Sequence, residues 1–174
     1  MKRTEKMDEK LFKKAGIKLD LGCGGNKQPG FVGMDIRKCA GVDIVHDAEC
    51  PPYPIPDSIC HQVLMSHLIE HMCPKKIFGV MNEVWRIMKP QGQLLISSPY
   101  GGSDGFWQDP THTHGWSQAT VYYFDPYPRN MNGERCFLYD IYKPKPWKIE
   151  RNDWHDNGNL EIIFTKREDD KNAK

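Results

Sequence analysis

The residues best suited to bind a ligand come where three apolar runs near the N-terminus end. The first run contains Asp20 and leads into Gly22-Cys23-Gly24-Gly25, the second ends at Asp35, and the third ends at Asp47. Glycines let a backbone approach a ligand closely because they carry no Cβ atom. A carboxylate at Asp35 could accept hydrogen bonds from both hydroxyls of a ribose, and one at Asp47 from the exocyclic amine of an adenine. Acidic residues at the ends of three consecutive strands indicate a ligand-binding site more specifically than a glycine turn alone.

The apolar runs predict the elements that position these residues. Runs without polar alternation are typical of strands covered on both faces, as in a parallel sheet. Five such runs occupy residues 17–21, 31–36, 42–45, 60–65 and 93–98. Because ligands of open α/β sheets bind at the carboxyl ends of the strands, the acidic residues and the glycines are expected at one shared edge.

A helix is predicted between the last two of these runs. Pro74 suits a first-turn position. Apolar residues then recur at helical spacing, namely Ile77, Phe78, Met81, Val84, Trp85 and Met88. Lys89-Pro90-Gln91-Gly92 ends the helix with a proline and a glycine. A helix between two buried strands is the crossover that a parallel pair requires.

The link between the first two strands is too short for a helix of ordinary length. Only residues 22–30 separate Leu21 from Phe31, whereas a helical crossover takes about a dozen residues. The first helix is therefore predicted to be shortened or absent.

The sequence pattern of the C-terminal part predicts an antiparallel hairpin. Residues 147–152 and 160–165 flank the turn-like Asp156-Asn157-Gly158-Asn159. Ser117 is a candidate cap for a short helix over residues 118–124. The predicted fold class is α/β, a Rossmann-like three-layer sandwich with a mostly parallel sheet and an antiparallel C-terminal hairpin.

Length and composition predict one soluble domain. The 174 residues suffice for a single core. We divide the chain into an N-terminal helix (1–16), a cofactor-binding core (17–98), an acceptor-side loop and helix (99–125), a closing hairpin (126–166) and a disordered tail (167–174). No apolar run is long enough to span a bilayer, and the N-terminus lacks the apolar core of a signal peptide, so we expect a cytoplasmic protein. The net charge of +1 makes no case for nucleic acid.

Several ordered motifs resemble those of class I S-adenosylmethionine-dependent methyltransferases. LDLGCGG resembles their first motif, and KLDLGCGGNKQPGFVGMDI is similar to a group of small methyltransferases with a short link between the first two strands. VHDAECPPYPIPDSICHQVLMSHLIEH and MNEVWRIMKPQGQLLISSP resemble the third to fifth strands and their connections. The resemblance covers about residues 17–125 and implies S-adenosylmethionine as the cofactor.

The resemblance also implies a role for each matching residue. Asp20, Gly22, Cys23 and Gly24 would hold the methionine end, Asp35 and Ile36 the ribose side, Asp47 and Ala48 the adenine, and Ser66 and His67 the region of the transferred methyl. Two departures are visible. Without a full first helix, the cofactor carboxylate is left to loop amides and to Lys27. Gln91 stands where the family has a glycine, which should matter little provided that the backbone there keeps a negative φ.

The acceptor side depends on a long loop, residues 99–116, which we name the acceptor loop. Methyl transfer proceeds by in-line attack, so positioning supplies most of the catalysis, and a histidine can act as a base. His112, oriented by Asp109, is the first candidate, His114 the second, and His67 and His71 follow. Alternatively, Asp109 and His112 only stabilise the loop, and His71 has only a structural role in packing.

We predict no metal site from the sequence. Asp109, His112 and His114 have no fourth ligand, and the six cysteines contain no paired spacing typical of structural zinc. Disulfides are not expected in a cytosolic chain.

The sequence is also compatible with functions other than methyl transfer to a small acceptor. A nicotinamide-dependent oxidoreductase is disfavoured because the third glycine of its fingerprint is missing. A catalytically degenerate cofactor-binding module acting through a partner stays open, as does a nucleic-acid methyltransferase. A small molecule or a sugar is the favoured acceptor, and the sequence gives no signal for oligomeric state.

Overall fold

A single seven-stranded sheet organises the protein. The computed structural model describes residues 12, 16–127 and 137–168. Residues 169–174 of the predicted tail therefore lie outside the described residues, as does the predicted N-terminal helix (1–16) apart from Phe12 and Gly16. The strands are β1 (Ile17–Leu21), β2 (Val32–Asp35), β3 (Ile44–Val45), β4 (Cys60–Ser66), β5 (Met88–Pro99), β6 (Trp147–Trp154) and β7 (Asn159–Lys166).

The strand order is β3-β2-β1-β4-β5-β7-β6. The first five strands pair in parallel, and β7 is antiparallel to both β5 and β6. This arrangement confirms the predicted fold class, with a mostly parallel sheet and an antiparallel C-terminal hairpin. The chain order reverses direction across the sheet between β1 and β4, and ligands bind α/β sheets at such a point.

The one long helix among the described residues, α1 (Ile77–Ile87), lies where the apolar spacing predicts it. A 3-10 turn at Pro74–Lys76 leads into it. Its buried side chains, Ile77, Val80, Met81, Val84 and Ile87, recur at intervals of three and four residues and join the sheet residues in one core. Met88 already belongs to β5, five residues before the predicted start of that strand.

The crossovers between β1, β2, β3 and β4 contain no α-helix. Residues 22–31, 36–43 and 46–59 form turns and extended segments. The prediction of a shortened or absent first helix is therefore confirmed. The parallel pairing of β1 with β2 is set by direct backbone contacts, with Leu19 opposite Val32 and Leu21 opposite Met34.

The C-terminal part differs in detail from the prediction. Among the described residues of the predicted closing hairpin (126–166), the two paired strands cover residues 147–166, and a short helix, α3 (Tyr139–Tyr142), precedes them. Residues 128–136 lie outside the described residues. In the acceptor loop, another short helix, α2 (Asp104–Trp107), is capped by Ser103, whose hydroxyl accepts a hydrogen bond from the Phe106 N–H. The helix predicted over 118–124 is a 3-10 turn, Thr120–Tyr123.

The helices found in residues 16–127 and 137–168 are all too short to cross a membrane.

The φ angle of Gln91 is +61°, which contradicts the expected negative value. Gln91 lies in an irregular part of β5, where Cys60 pairs with Met88 but Gln62 pairs with Gln93. This bulge imposes the positive φ, which costs a residue with a Cβ about 1–2 kcal/mol. The glycine of the resembling methyltransferases would adopt it without that cost.

We therefore expect Gln91→Gly to stabilise the protein by about 0.5–1 kcal/mol, since the extra backbone entropy of an unfolded glycine offsets part of the gain. Chemical denaturation measures the change. Gln93→Gly is the matched control, because Gln93 is equally exposed in β5 but has no positive φ, and it should destabilise. Equal effects of the two variants would contradict the account of strain.

Candidate functional site

Backbone hydrogen bonds bring the ends of β1, β2 and β3 together. The Gly22 N–H donates to the Met34 carbonyl at 2.7 Å, and the His46 N–H donates to the Asp35 carbonyl at 3.0 Å. The Gly24 N–H donates to Asp35 Oδ2 at 2.8 Å. We name the residues at these ends and at the end of β4 the strand-end site: Gly22–Gly24, Asp35, Ile36, Asp47, Ala48, Ser66 and His67.

The glycine turn leaves no space for a side chain at Gly22. Its φ is +74°, and a Cβ there would lie 2.6 Å from Leu68 Cδ1. Gly24 also has a positive φ, +52°. Glycine is therefore required here both by conformation and by the close approach of the β4 connection.

Asp20, near the end of β1, stabilises the link that follows the glycine turn. It is buried, and its Oδ2 accepts a hydrogen bond from the Gln28 N–H at 2.8 Å. Burial raises the pKa of Asp20, although the Gln28 N–H and the Lys27 charge act against that shift. Lys27 itself forms an ion pair with Asp43 at 2.6 Å. This pair joins the link between β1 and β2 to the link between β2 and β3, and the role of Lys27 at a cofactor carboxylate stays a prediction.

Asp35 is the best-defined charge of the strand-end site. Its Oδ1 accepts hydrogen bonds from the Arg37 N–H at 2.8 Å and from Arg37 Nε at 3.0 Å. Burial alone would raise the pKa of Asp35, but the hydrogen bonds from Arg37 and Gly24 outweigh it and hold that pKa below its usual value. The Asp35 side chain is 6% exposed, whereas that of Arg37 is 69% exposed. Sequence reasoning missed Arg37, although its position two residues after the acidic strand end was a visible signal.

Asp47 closes a turn. One oxygen accepts the Glu49 N–H at 2.8 Å, and the other accepts the Cys50 thiol at 3.2 Å. The Glu49 N–H is the main reason that the pKa of Asp47 is lowered. Next to it, the Ala48 carbonyl accepts the Tyr53 hydroxyl at 2.7 Å. Ile36, which follows β2, is 63% exposed and offers an apolar surface to a planar group.

Cys23 is buried in the glycine turn. Burial, together with the charges of Asp20 and Asp35, raises the pKa of its thiol to about 11. Since the thiolate is the reactive form, we expect iodoacetamide at pH 8 to modify Cys23 far more slowly than the exposed Cys39. Peptide mass spectrometry after short exposure measures the two rates. Equal rates would show that the turn opens readily in solution.

The end of β4 places His67 at the site in an uncommon conformation. Its φ is +50°, and its N–H donates to the Ser97 carbonyl at 2.8 Å. The imidazole is half-exposed, with Nδ1 3.3 Å from Oε1 of the fully buried Glu70. Non-glycine residues held at positive φ cluster at functional sites. Ser66, just before it, is exposed.

The other predicted catalytic residues make contacts within the acceptor loop. His112 donates from Nδ1 to the Phe106 carbonyl at 2.6 Å and stacks on the Phe106 ring. Asp109 Oδ2 lies 3.9 Å from His112 Nε2, so the predicted orienting hydrogen bond is not formed. Instead, Asp109 Oδ1 accepts hydrogen bonds from the Thr111 N–H and hydroxyl.

His114 is engaged elsewhere. The Trp116 indole donates to His114 Nε2 at 2.9 Å, and burial lowers the pKa of this histidine. Its acceptor nitrogen is therefore occupied by a core tryptophan, which makes it a poor candidate for a base.

Two cavities lined by described residues lie away from the strand-end site. One of about 650 Å³ lies between Asn82, Tyr127 and Arg167. Another of about 260 Å³ lies behind the acceptor loop, between Trp116, Phe124 and Ile77, with His114 in its wall.

The fold is shared with solved methyltransferase structures. The chain is similar to a SAM-dependent methyltransferase from Archaeoglobus fulgidus, with a TM-score of 0.62, 20% identity, and coverage of 90% of this chain and 89% of the other. The chain has the class I S-adenosylmethionine-dependent methyltransferase fold. A second similar structure with this methyltransferase fold is the N-methyltransferase NodS from Bradyrhizobium japonicum WM9 in complex with S-adenosyl-L-homocysteine. Its TM-score is 0.59 at 10% identity, over 88% of this chain and 79% of NodS. No family model and no curated protein matches the sequence.

Proposed function

We propose that this protein is an S-adenosylmethionine-dependent methyltransferase. The observation that carries the proposal is the charged carboxylate of Asp35 at the end of β2, hydrogen-bonded to the Gly24 N–H of the β1 turn. In this fold the carboxyl ends of β1 and β2 form one edge, so a ribose bound by Asp35 lies directly over the glycine turn.

The residues present fit an adenosyl sulfonium. The positive φ values of Gly22 (+74°) and Gly24 (+52°) shape a turn that would hold the methionine end of the cofactor. The exposed side chain of Ile36 would offer an apolar surface to the adenine, and Asp47 and Ala48 would border the adenine as the resemblance implies. Cys23 completes the turn, and Asp20 fixes its far end through Gln28. Ser66 and His67 would then face the methyl group.

The proposed chemistry is a single displacement. A lone pair of the acceptor forms a bond to the methyl carbon while the carbon–sulfur bond breaks, which leaves S-adenosylhomocysteine, and the acceptor loses its proton. We assign acceptor positioning to His67, because it combines a half-exposed ring with a backbone fixed to Ser97. His112, Asp109 and His114 form contacts that shape the acceptor loop around it.

We infer that the acceptor is a small molecule or a sugar. The near-neutral net charge of +1 supports this inference, because binding to nucleic acid depends on an excess of basic residues. The short α2 and the acceptor loop supply a small amount of surface for recognising an acceptor.

Two measurements test the proposal. Calorimetry should show binding of S-adenosylmethionine and S-adenosylhomocysteine with one equivalent per chain. A homocysteine-release assay across sugars and small hydroxylated or amino compounds should show turnover. Absence of cofactor binding would overturn the proposal, whereas binding without turnover on any acceptor, nucleic acid included, would favour a non-catalytic module.

A further inference from the structure

Three potential metal ligands converge between β4 and the acceptor loop. Glu70 and His71 lie on the 3-10 turn Ile69–His71 that follows β4, and His112 lies in the acceptor loop. One ligand atom from each lies within 4.8 Å of the others. The two segments are fixed to each other, because the Thr113 N–H donates to the Glu70 carbonyl at 2.8 Å. We name Glu70, His71 and His112 the triad.

The carboxylate of the triad lacks a hydrogen-bonding partner. Glu70 is fully buried, and neither side-chain oxygen accepts a hydrogen bond from any residue that the structure describes. His67 Nδ1 lies 3.3 Å from Glu70 Oε1 and can form an ion pair with it when the imidazole is protonated. Burial of a carboxylate without hydrogen bonds is strongly unfavourable, so this position is suited to a cation.

Both histidines hold their second nitrogen in the way metal ligands do. The Thr111 hydroxyl donates to Asp109 Oδ1 at 2.7 Å, so its oxygen accepts from His71 Nδ1 at 3.0 Å. His112 Nδ1 donates to the Phe106 carbonyl. In each ring Nε2 then carries the free lone pair. Histidines that bind metals usually donate their other N–H to a carbonyl or a similar oxygen, which fixes the tautomer and the ring orientation.

The surroundings of the triad also favour a cation. Asp109 Oδ2 lies 3.9 Å from His112 Nε2 and provides a further negative charge. The rings of His71 and His112 meet edge to face, with centroids 4.7 Å apart.

We propose that Glu70, His71 and His112 bind a divalent cation of the Zn²⁺ or Mn²⁺ kind. Two imidazoles and one carboxylate are a ligand set that zinc uses with an open coordination position. Mg²⁺ and Ca²⁺ prefer all-oxygen ligands and should bind more weakly. The site lies next to His67, so a bound cation would face the acceptor side of the strand-end site. Cation binding itself does not depend on the proposed methyl transfer.

Metal titration of the full chain, without a histidine tag, tests this site. Co²⁺ titrated into the protein should give visible d–d absorption that saturates at one equivalent, and Zn²⁺ should displace it. His112→Ala and His71→Ala should each weaken binding tenfold or more. His61→Ala is the matched control, because His61 is an exposed histidine on β4 outside the triad, and it should bind like the wild type.

A second variant covers the case in which an alanine variant fails to fold. Glu70→Gln keeps the size of the side chain and removes its charge, and it should also lose tenfold or more in Co²⁺ affinity. Binding of S-adenosylhomocysteine, measured on the same samples, reports separately on the strand-end site. No saturable Co²⁺ or Zn²⁺ binding by the wild type, or unchanged binding in the triad variants, would overturn the proposal.

Discussion

Replacing Asp35 with alanine is expected to weaken S-adenosylhomocysteine binding by about 10- to 150-fold. A hydrogen bond to a charged group contributes about 1.5–3 kcal/mol, and the lowered pKa keeps Asp35 charged at neutral pH. The variant also loses the bond that holds the Gly24 N–H. Calorimetry at pH 7 measures the ratio of the dissociation constants, and circular dichroism confirms that the variant folds.

Arg37→Ala is the informative control for this prediction. The exposed Arg37 guanidinium occupies the same carboxylate that the ribose would use. Removing it should leave affinity unchanged or improve it, because no ion pair then has to open. If Arg37→Ala weakened binding as much as Asp35→Ala, Arg37 would be a binding group and our placement of the ribose would be wrong.

Replacing Glu83 with alanine is expected to destabilise the protein by about 1.5–3 kcal/mol. Glu83 lies on α1 and is buried, and it accepts hydrogen bonds from the Tyr53 N–H at 2.6 Å and from Arg86 at 2.6 and 2.9 Å. Removing Glu83 leaves the buried Tyr53 N–H without its acceptor, which is the main source of the cost. Arg86 loses one carboxylate but keeps Asp57 and the Ile55 carbonyl. Since Tyr53 also holds the Ala48 carbonyl, cofactor binding should weaken as well.

Urea denaturation measures this loss, with Glu150→Ala as the control. Glu150 pairs with Lys148 on the surface of β6, and its removal should change the free energy of unfolding by less than about 1 kcal/mol. Similar losses in the two variants would contradict the assigned role of Glu83.

The pH dependence of stability has a defined sign at Glu83. Burial acts to raise the pKa of Glu83, but the hydrogen bonds from Arg86 and Tyr53 lower it below its ordinary value of 4.5. The stabilisation is therefore fully present above pH 4.5 and is lost as the pH falls through the lower, folded-state pKa. In Glu83→Gln this acid-dependent part should be missing.

Local patterns in the sequence were enough to predict the sheet and the main helix. The apolar runs ending at Leu21 and Asp35 became β1 and β2, and the spacing from Ile77 onward became α1. The nine-residue link after β1 was enough to predict the missing helix, because chain length limits a crossover. Such features depend on residues close together in the chain.

Contacts between distant segments could not be predicted in this way. Glu70 and His112 belong to separate segments, and no periodicity shows that a fold brings them together. The hydrogen bond from Trp116 to His114 depends on how the indole is packed in the core. The positive φ of Gln91 arises from an irregularity inside β5, where its register against β4 shifts, and the residue types alone did not reveal that geometry.

A crystal structure of this protein with S-adenosylhomocysteine tests the central claim most directly. The account predicts the ribose hydroxyls on the Asp35 carboxylate, the homocysteine over the Gly22–Gly24 turn and the adenine against Ile36. A ligand bound elsewhere, with Asp35 still paired only to Arg37 and Gly24, would contradict it.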